Sequence, residues 1–531
     1  MKITPLGAVL AVAVAVPLAA QAPRGEAPLK HTPRPTTGAI TPEDARTRLY
    51  ILADDSMMGR EAGTAGNVKG TDYIAREARR IGLEPAGDNG TYFQTIPLVS
   101  RGFDPASSLT LDGEPLTLWT DFAPLPTIEG VFNFAEGMSA NGAQVVYGGR
   151  IGDPNLISPE QAAGKLVVFA PPVLPNGQTE WRFWTRGSLD RYAGAAGVAI
   201  ASLDASPAGI LNFLKAEQMQ LAPSADRPKP TGPAAMLVSA AVAQRLLGAS
   251  PSTLQPGATG KTVNASIRFL QKNAEFPARN VVAILRGSDP ALRNEYVAIG
   301  THNDHDGISP TKVDHDSLHA FNRLLRREGA EGPPRQPTAE ETTRLRATID
   351  SLHRARPVRL DSVFNGADDD GSGTTGVLEI AEALASQRVR PKRSILFVWH
   401  TAEEKGLLGS EHYTEHPTVP RDSIVAQLNI DMIGRGAAGD LDGGGPDYLQ
   451  LVGSRRLSTQ LGDLVERVNT ERGYNFKFDY SYDADGHEAN IYCRSDHYNY
   501  ARWGIPVTFF TTGGHSDYHM LTDEPQYIDY D

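Results

Sequence analysis

Histidines and carboxylates gather in four short stretches of this chain, and each stretch follows a run of apolar residues. YVAIG leads into Thr301, His302, Asn303, Asp304 and His305, and ILFVWH leads into Thr401, Ala402, Glu403 and Glu404. AQLNI leads into Asp431, and VTFFTT leads to a loop with His515, Asp517 and His519. Such apolar runs read as strands, and open α/β sheets bind ligands beyond the carboxyl ends of their strands. Four clusters at strand ends therefore predict one site. Imidazole and carboxylate together suit zinc, and a paired site needs a carboxylate that can bridge ions ~3.5–4 Å apart. Asp369, in Gly366-Ala367-Asp368-Asp369-Asp370-Gly371-Ser372-Gly373, is the best bridging candidate, because the glycines leave room beside the backbone. His302 and Asp431 would complete one ion, and Glu404 and His519 the other. Asp304, two residues beyond His302, would hold the ligand imidazole from behind. Glu403, next to a ligand Glu404, stays free to act as general base.

Rival readings of the same residues stay open at this stage. Asp368, Asp370, Ser372, Gly373 and Glu379 have the spacing of an EF-hand calcium loop, although an irregular, Pro-containing segment stands where such a loop needs a helix. The acidic stretch Asp479 to Asp485 could take a structural Ca2+ ion or stand solvated. His515 competes with His519 for the last ligand place. His305, His315, His319, His353, His400, His412 and His416 are expected mostly at the surface or behind ligands, and His487 and His497 are less settled. A bare pair of glutamates is ordinarily a solvated helix start. The apolar strand before Glu403 and the GLLGS after Glu404 reverse that expectation.

The elements that must position these groups follow from periodicity. NVVAILRG, EYVAIGTH, RSILFVWH, IVAQLNIDMIG and IPVTFFTT are strand candidates, and TTGVLEIAEALAS between them is helical, with Val377, Leu378, Ala381 and Leu384 on one face. Continuous apolar strands alternating with helices predict an α/β fold with a mostly parallel, doubly covered central sheet over residues 269–531. Residues 308–364 interrupt it as a polar, partly helical surface excursion. Residues 41–121 contribute two helices, the second containing Tyr73, Ile74, Ala78 and Ile81 and capped by Gly82. Residues 122–268 have a different texture. Short strands such as AQVVYGG and KLVVFAP alternate with Gly and Pro turns, and DRYAGAAGVAIASL reads as a small-residue helix, so this stretch is expected to be an inserted β-rich module.

The amino-terminal 22 residues, with one charge at Lys2 and an apolar run from Leu6 to Ala20, read as a signal peptide cut near Ala20 or Ala22. The run is shorter than the ~20 residues that span a bilayer, so the chain is expected to be exported, periplasmic or extracellular, without a membrane span. Residues 23–40 read as a flexible linker. The single cysteine, Cys493, rules out an internal disulfide and is expected to be a half-buried thiol. A net charge of −12 without a basic stripe argues against a nucleic-acid partner.

His302-x-Asp304, Gly366-Ala367-Asp368-Asp369-Asp370, Glu403-Glu404 with GLLGS, Asn429-Ile430-Asp431-Met432, Ser495-Asp496-His497 before Gly504-Ile505-Pro506, and Tyr518-His519 occur in that order. In this set and order the chain resembles the two-zinc aminopeptidase family of bacterial leucine aminopeptidases, glutamate carboxypeptidases and glutaminyl cyclases, whose fold is phosphorylase/hydrolase-like. Met58-Gly59-Arg60-Glu61 and Gly70 resemble the family's first helices, and the β-rich insert resembles a protease-associated domain. The resemblance implies two zinc ions bridged by Asp369, a bridging hydroxide activated by Glu403, and release of N-terminal residues from a peptide substrate. A dipeptidase or carboxypeptidase, a glutaminyl cyclase with one zinc, or a non-catalytic receptor-like relative are the alternatives. The separation of His302 from Asp369 departs from the family's shorter connection, and no motif identifies the pocket for the first side chain. Oligomeric state is not encoded in any motif.

Overall fold

Tyr296–His302 and Ile424–Ile430 lie at the centre of a nine-stranded sheet. The computed structural model describes residues 27–127, 134–135, 137–180, 189–223 and 230–531. The signal-peptide reading of 1–22 lies outside them. From one edge to the other the sheet runs Glu84–Pro85, Ala278–Leu285, Ser394–His400, Tyr296–His302, Ile424–Ile430, Val507–Thr511, Tyr448–Val452 and Lys477–Asp479, and Phe93–Ile96 also pairs with Ala278–Leu285. The four strands from Ser394–His400 to Val507–Thr511 are parallel to one another. The neighbours on both sides, Ala278–Leu285 and Tyr448–Val452, are antiparallel to them. The sheet is therefore mixed, not mostly parallel as expected. A strand covered on both faces is apolar throughout in either direction, so its composition does not report its sense.

Both faces are indeed covered. Val281, Ala283, Leu285, Phe397 and Trp399 pack into one core with Tyr73, Ile74, Ala78, Val377 and Leu378 from helices Ala65–Ile81 and Gly373–Ser386. The alternate residues Val282, Ile284, Leu396 and Val398 pack on the other face with Tyr413, Tyr500 and Ile505. Ala65–Ile81 ends where expected: Gly82 takes a left-handed φ of 87°, and its N–H reaches the carbonyls of Ala78 and Arg79.

A second, eight-stranded sheet is built from Ser108–Leu111, Glu114–Pro115, Phe122–Leu125, Met138–Arg150, Leu166–Ala170, Gly197–Ile200, Ala235–Val238 and Thr259–Ile267. It begins at Ser108, ahead of the boundary expected at 122. The stretch read as a small-residue helix is a turn at Asp190–Tyr192 followed by the strand Gly197–Ile200. Val198 and Ile200 there are fully buried between parallel neighbours, and that packing overrides the helical tendency of the alanines. The chain enters this unit along Leu98–Phe103 and leaves along Phe269–Asn273, and these two strands pair antiparallel.

Two expectations at the surface change. From residue 27 the linker lies along the large unit: the Ala27 N–H donates to the Gln526 carbonyl at 2.9 Å, and Thr36 Oγ1 donates to Glu382 at 2.8 Å. Cys493 is exposed, not half-buried. The 308–364 excursion contains the strand pair Ile308–Asp314 and Leu360–Val363 and the helices His315–Leu325 and Ala339–Ala355.

Candidate metal centre

The Asp368-Asp369-Asp370 triplet ties the strand ends together. Asp370 Oδ2 accepts from the His302 N–H at 3.1 Å and from the Thr301 hydroxyl. Its Oδ1 accepts from the N–H groups of Gly373 at 2.8 Å and Met432 at 3.1 Å. Asp368 accepts from the Gly434 N–H at 2.6 Å and faces His515 Nε2 at 3.2 Å. Asp523 in turn accepts from the N–H groups of Asp368 and Asp369, at 3.0 and 3.1 Å. With its two neighbours and its own N–H so engaged, Asp369 presents its carboxylate to the site.

That carboxylate lies between two imidazoles. His302 Nε2 is 3.1 Å from Asp369 Oδ1, and His519 Nε2 is 2.9 Å from Oδ2. His302 Nε2 is also 3.7 Å from Asp431 Oδ1, and His519 Nε2 is 3.0 Å from Glu404 Oε2. The structure thus brings His302, Asp369, Glu404, Asp431 and His519 together as two groups sharing Asp369. Asp369 Oδ2 and Asp431 Oδ1 are buried and accept no hydrogen bond. Ligand bonds of ~2.0–2.1 Å in a tetrahedral zinc site put neighbouring ligand atoms roughly 3.3 Å apart, and the spacings here fit that. Buried carboxylate oxygens without donors are costly unless a cation meets them. The residues present fit a pair of ions.

Glu403 and Glu404 sit in opposite environments. Burial lifts the Glu403 pKa well above the ordinary value; His302 opposes, and the charges of Glu404, Asp431 and Asp496 add to the rise. Burial and Asp369 push Glu404 the same way, but His519 and His305 hold it down to about 2. Glu403 is half-buried, and its carboxylate lies near the His302 imidazole and the Glu404 carboxylate, which could share an ion with it. Asp304 was expected to hold the His302 imidazole through its carboxylate. Its carbonyl is nearer, at 3.2 Å from Nδ1 against 3.8 Å for Oδ1. The carboxylate instead accepts from the Glu403 N–H at 3.1 Å. Ala402 just before Glu403, Met432 just after Asp431, and His519 itself have positive φ values of 54°, 59° and 52°, as do several residues elsewhere in the chain.

The rival readings resolve structurally. His515 faces Asp368, outside the shared group. Glu379 lies on helix Gly373–Ser386 and pairs with Arg48 at 2.6 Å, so the EF-hand loop does not form. In the other acidic stretch Asp479 accepts from Tyr448 and Ser481, and Asp483 accepts from Arg456; among the described residues this stretch forms no cluster of potential ligands. Of the histidines expected at the surface or behind ligands, His305, His315, His319 and His400 are buried. His305 Nδ1 is 2.6 Å from Glu404 Oε1, directly behind a ligand-group carboxylate. His497 packs on Phe509, away from the group.

Sequence reasoning gave Arg60 no role. Its buried guanidinium donates to the carbonyls of Asn303 at 3.1 Å, Leu52 at 3.0 Å, Asn365 at 2.7 Å and Gly366 at 2.9 Å. It clamps the loop after His302 to the loop before Asp369. The available signal was an arginine in a Gly-flanked turn between two helices, which by itself points to nothing.

Fold and cluster together define an α/β protein with imidazoles and carboxylates gathered beyond the carboxyl ends of its parallel strands. Residues 280–531 match the model of Peptidase family M28. Leupeptin-inactivating enzyme 1 of Streptomyces exfoliatus is 44% identical over 78 residues, 14% of this chain and 18% of its own length. An aminopeptidase of Pseudomonas aeruginosa is 43% identical over 94 residues, 17% of each chain. The chain therefore matches less than a fifth of the length of either relative. The solved aminopeptidase from Aneurinibacillus sp. strain AM-1 aligns over 92% of this chain and 90% of its own, with 16% identity and a TM-score of 0.46.

Proposed function

We propose that this chain is an exported, zinc-dependent aminopeptidase that holds two zinc ions. The observation that carries the reading is the Asp369 carboxylate set between His302 and His519, each imidazole with a further carboxylate, Asp431 or Glu404. His302 and Asp431 would hold one ion, Glu404 and His519 the other, with Asp369 facing both. Bound there, such ions polarise a scissile carbonyl and lower the pKa of a water. Glu403, lifted in pKa and fixed by Asp304 at its N–H, takes the proton from the attacking water and passes it to the leaving nitrogen. The family match of residues 280–531 and the relatives named aminopeptidase support this reading. The N-terminal stretch with Lys2 and an apolar run supports export, and the smaller β-rich unit resembles a protease-associated domain.

Metal analysis paired with a substrate panel tests the proposal. The expected result is zinc near two per chain, loss of activity with a chelator, recovery with zinc, and cleavage only of peptides with a free N-terminus. A requirement for a free C-terminal carboxylate would make the chain a carboxypeptidase or dipeptidase. One zinc with cyclisation of N-terminal glutamine would make it a glutaminyl cyclase.

A further inference from the structure

The 308–364 excursion does not stand away from the domain. Its first helix, His315–Leu325, and the turn after it lie on the loop that carries His519. His319 Nδ1 is 3.1 Å from Asp517 Oδ1, and Asn322 donates to Thr522 at 3.3 Å. Asp517 also accepts from Thr522 at 2.7 Å and from Arg435, in the loop after Asp431, at 3.1 Å. Next to His519, the Ala330 N–H donates to the Tyr518 carbonyl at 2.9 Å. Gly329 makes the approach possible: a Cβ there would lie 2.3 Å from Tyr518 O and 2.8 Å from Tyr518 N. On its remaining side, His519 Nδ1 lies 3.4 Å from Asp306, in the stretch that leads into the excursion.

We propose that the excursion is a brace for the ligand loop, with His319 and Gly329 as positioning residues that set His519 opposite Glu404 and Asp369. This rests on the zinc reading given above. The ligand loop itself has little regular structure, and His519 has a left-handed φ of 52°, so its geometry must be imposed from outside. Asp517 is the joint: one carboxylate takes a donor from the excursion, one from its own loop and one from the loop of Asp431. The brace reaches His519 directly, through Tyr518 and Asp306, and the loop of Asp431 only through Arg435, so its larger effect falls on the Glu404 and His519 pair, while His302 and Asp431 are also anchored at strand ends.

Another group in the same segment could be taken for a metal site. His315 Nδ1 is 3.2 Å from Asp361 and 3.4 Å from Glu524. There, however, Arg359 already meets Glu524 at 3.2 Å, and His315 Nε2 contacts the Tyr527 hydroxyl at 3.2 Å. None of these three residues has a buried side-chain oxygen or nitrogen without a partner, unlike Asp369 and Asp431. The group is a polar joint between the excursion and the segment after the ligand loop, and it extends the brace.

The test is a competition titration of the zinc-free protein with zinc, read as two separate affinities. His319→Ala and Gly329→Ala should weaken one of the two sites by about tenfold or more, the scale of removing a group that orients a ligand. His319→Asn, which keeps a donor near the Nδ1 position, should recover part of the loss. Arg346→Ala, on the exposed face of the second excursion helix, should change neither affinity. Melting temperatures of the zinc-free variants report whether each still folds. Two unchanged affinities in folded His319→Ala would overturn the brace, as would equal weakening of both sites in step with a lower melting temperature. Fewer than two zinc sites in the unaltered protein would instead overturn the zinc reading, and the brace with it.

Discussion

Replacing Arg60 with methionine removes a buried cation while keeping most of its volume. The guanidinium is 1% exposed and donates to four backbone carbonyls on three separate segments. Burial pulls its pKa down, and the carboxylates of Asp304, Asp523, Asp370 and Asp369 push back, so the cation is held by the charges of the site. Hydrogen bonds from a charged donor contribute roughly 1.5–3 kcal/mol each, which would sum to far more than is ever measured, because desolving the guanidinium opposes them. Breaking a buried charged group by removing one partner costs about 3–5 kcal/mol, and that is the expected loss for Arg60→Met. Arg60→Lys keeps the charge but cannot present a planar fork to several carbonyls, so it should recover only part of the loss. The assay is denaturant unfolding followed by a signal from the large unit, such as Trp399 fluorescence, with zinc removed so that metal binding does not mask the change. The second readout is activity after zinc is restored, which should fall because the loops after His302 and before Asp369 are no longer clamped. A destabilisation below about 1 kcal/mol, the scale of a surface substitution, would refute the clamp.

Two further outcomes follow from the site and its surroundings. Glu403→Gln should lower kcat/KM by ~10²–10⁴-fold, the scale of losing a general base, while zinc content stays as in the unaltered protein. If this variant lost zinc as Glu404→Gln is expected to, the division of roles between the two glutamates would be wrong. Glu379 is buried beside Arg48, and burial lifts its pKa from 4.5 to about 7, with Asp44 and Glu382 adding to the rise and Arg48 opposing it. A raised carboxylate pKa means that the folded chain binds the extra proton, so this group's contribution to stability is lost as pH rises from about 4.5 to 7. The loss is on the order of 3 kcal/mol, at ~1.4 kcal/mol per unit. Glu379→Gln should therefore melt higher, relative to the unaltered protein, at pH 8 than at pH 5. A difference between the two proteins that does not vary with pH would remove the assignment.

Much of the site could be read from the chain because its ligand candidates sit immediately after long apolar strands. Tyr296–His302 ends at His302, Ile424–Ile430 ends beside Asp431, and Ser394–His400 ends a short turn before Glu404, so strand placement and site placement were one inference. The sense of Ala278–Leu285 was not legible, because a strand buried on both faces carries no alternation to report its partners. The roles of His305, His319 and Arg60 were not legible for a different reason. Each acts through a contact with a residue far away in sequence, His305 with Glu404 and His319 with Asp517. Only the folded backbone brings those partners together. The strand Gly197–Ile200 was missed because the alanines near it favour a helix locally, and only its parallel neighbours decide otherwise.

The paired strands at the neck of the smaller unit bear on the order in which the molecule folds. Ile96 must pair with Ala278, which lies 182 residues further on (278 − 96). Closing a flexible loop of that length costs about 4–5 kcal/mol of chain entropy, since the cost grows as (3/2)RT ln n. If the smaller unit folds first, Val99 already lies against Asn273 and Phe103 against Phe269. The loop still to be closed then shrinks to a few residues on each side. In that order the insert is its own clasp, bringing the two separated parts of the large sheet into register before they meet.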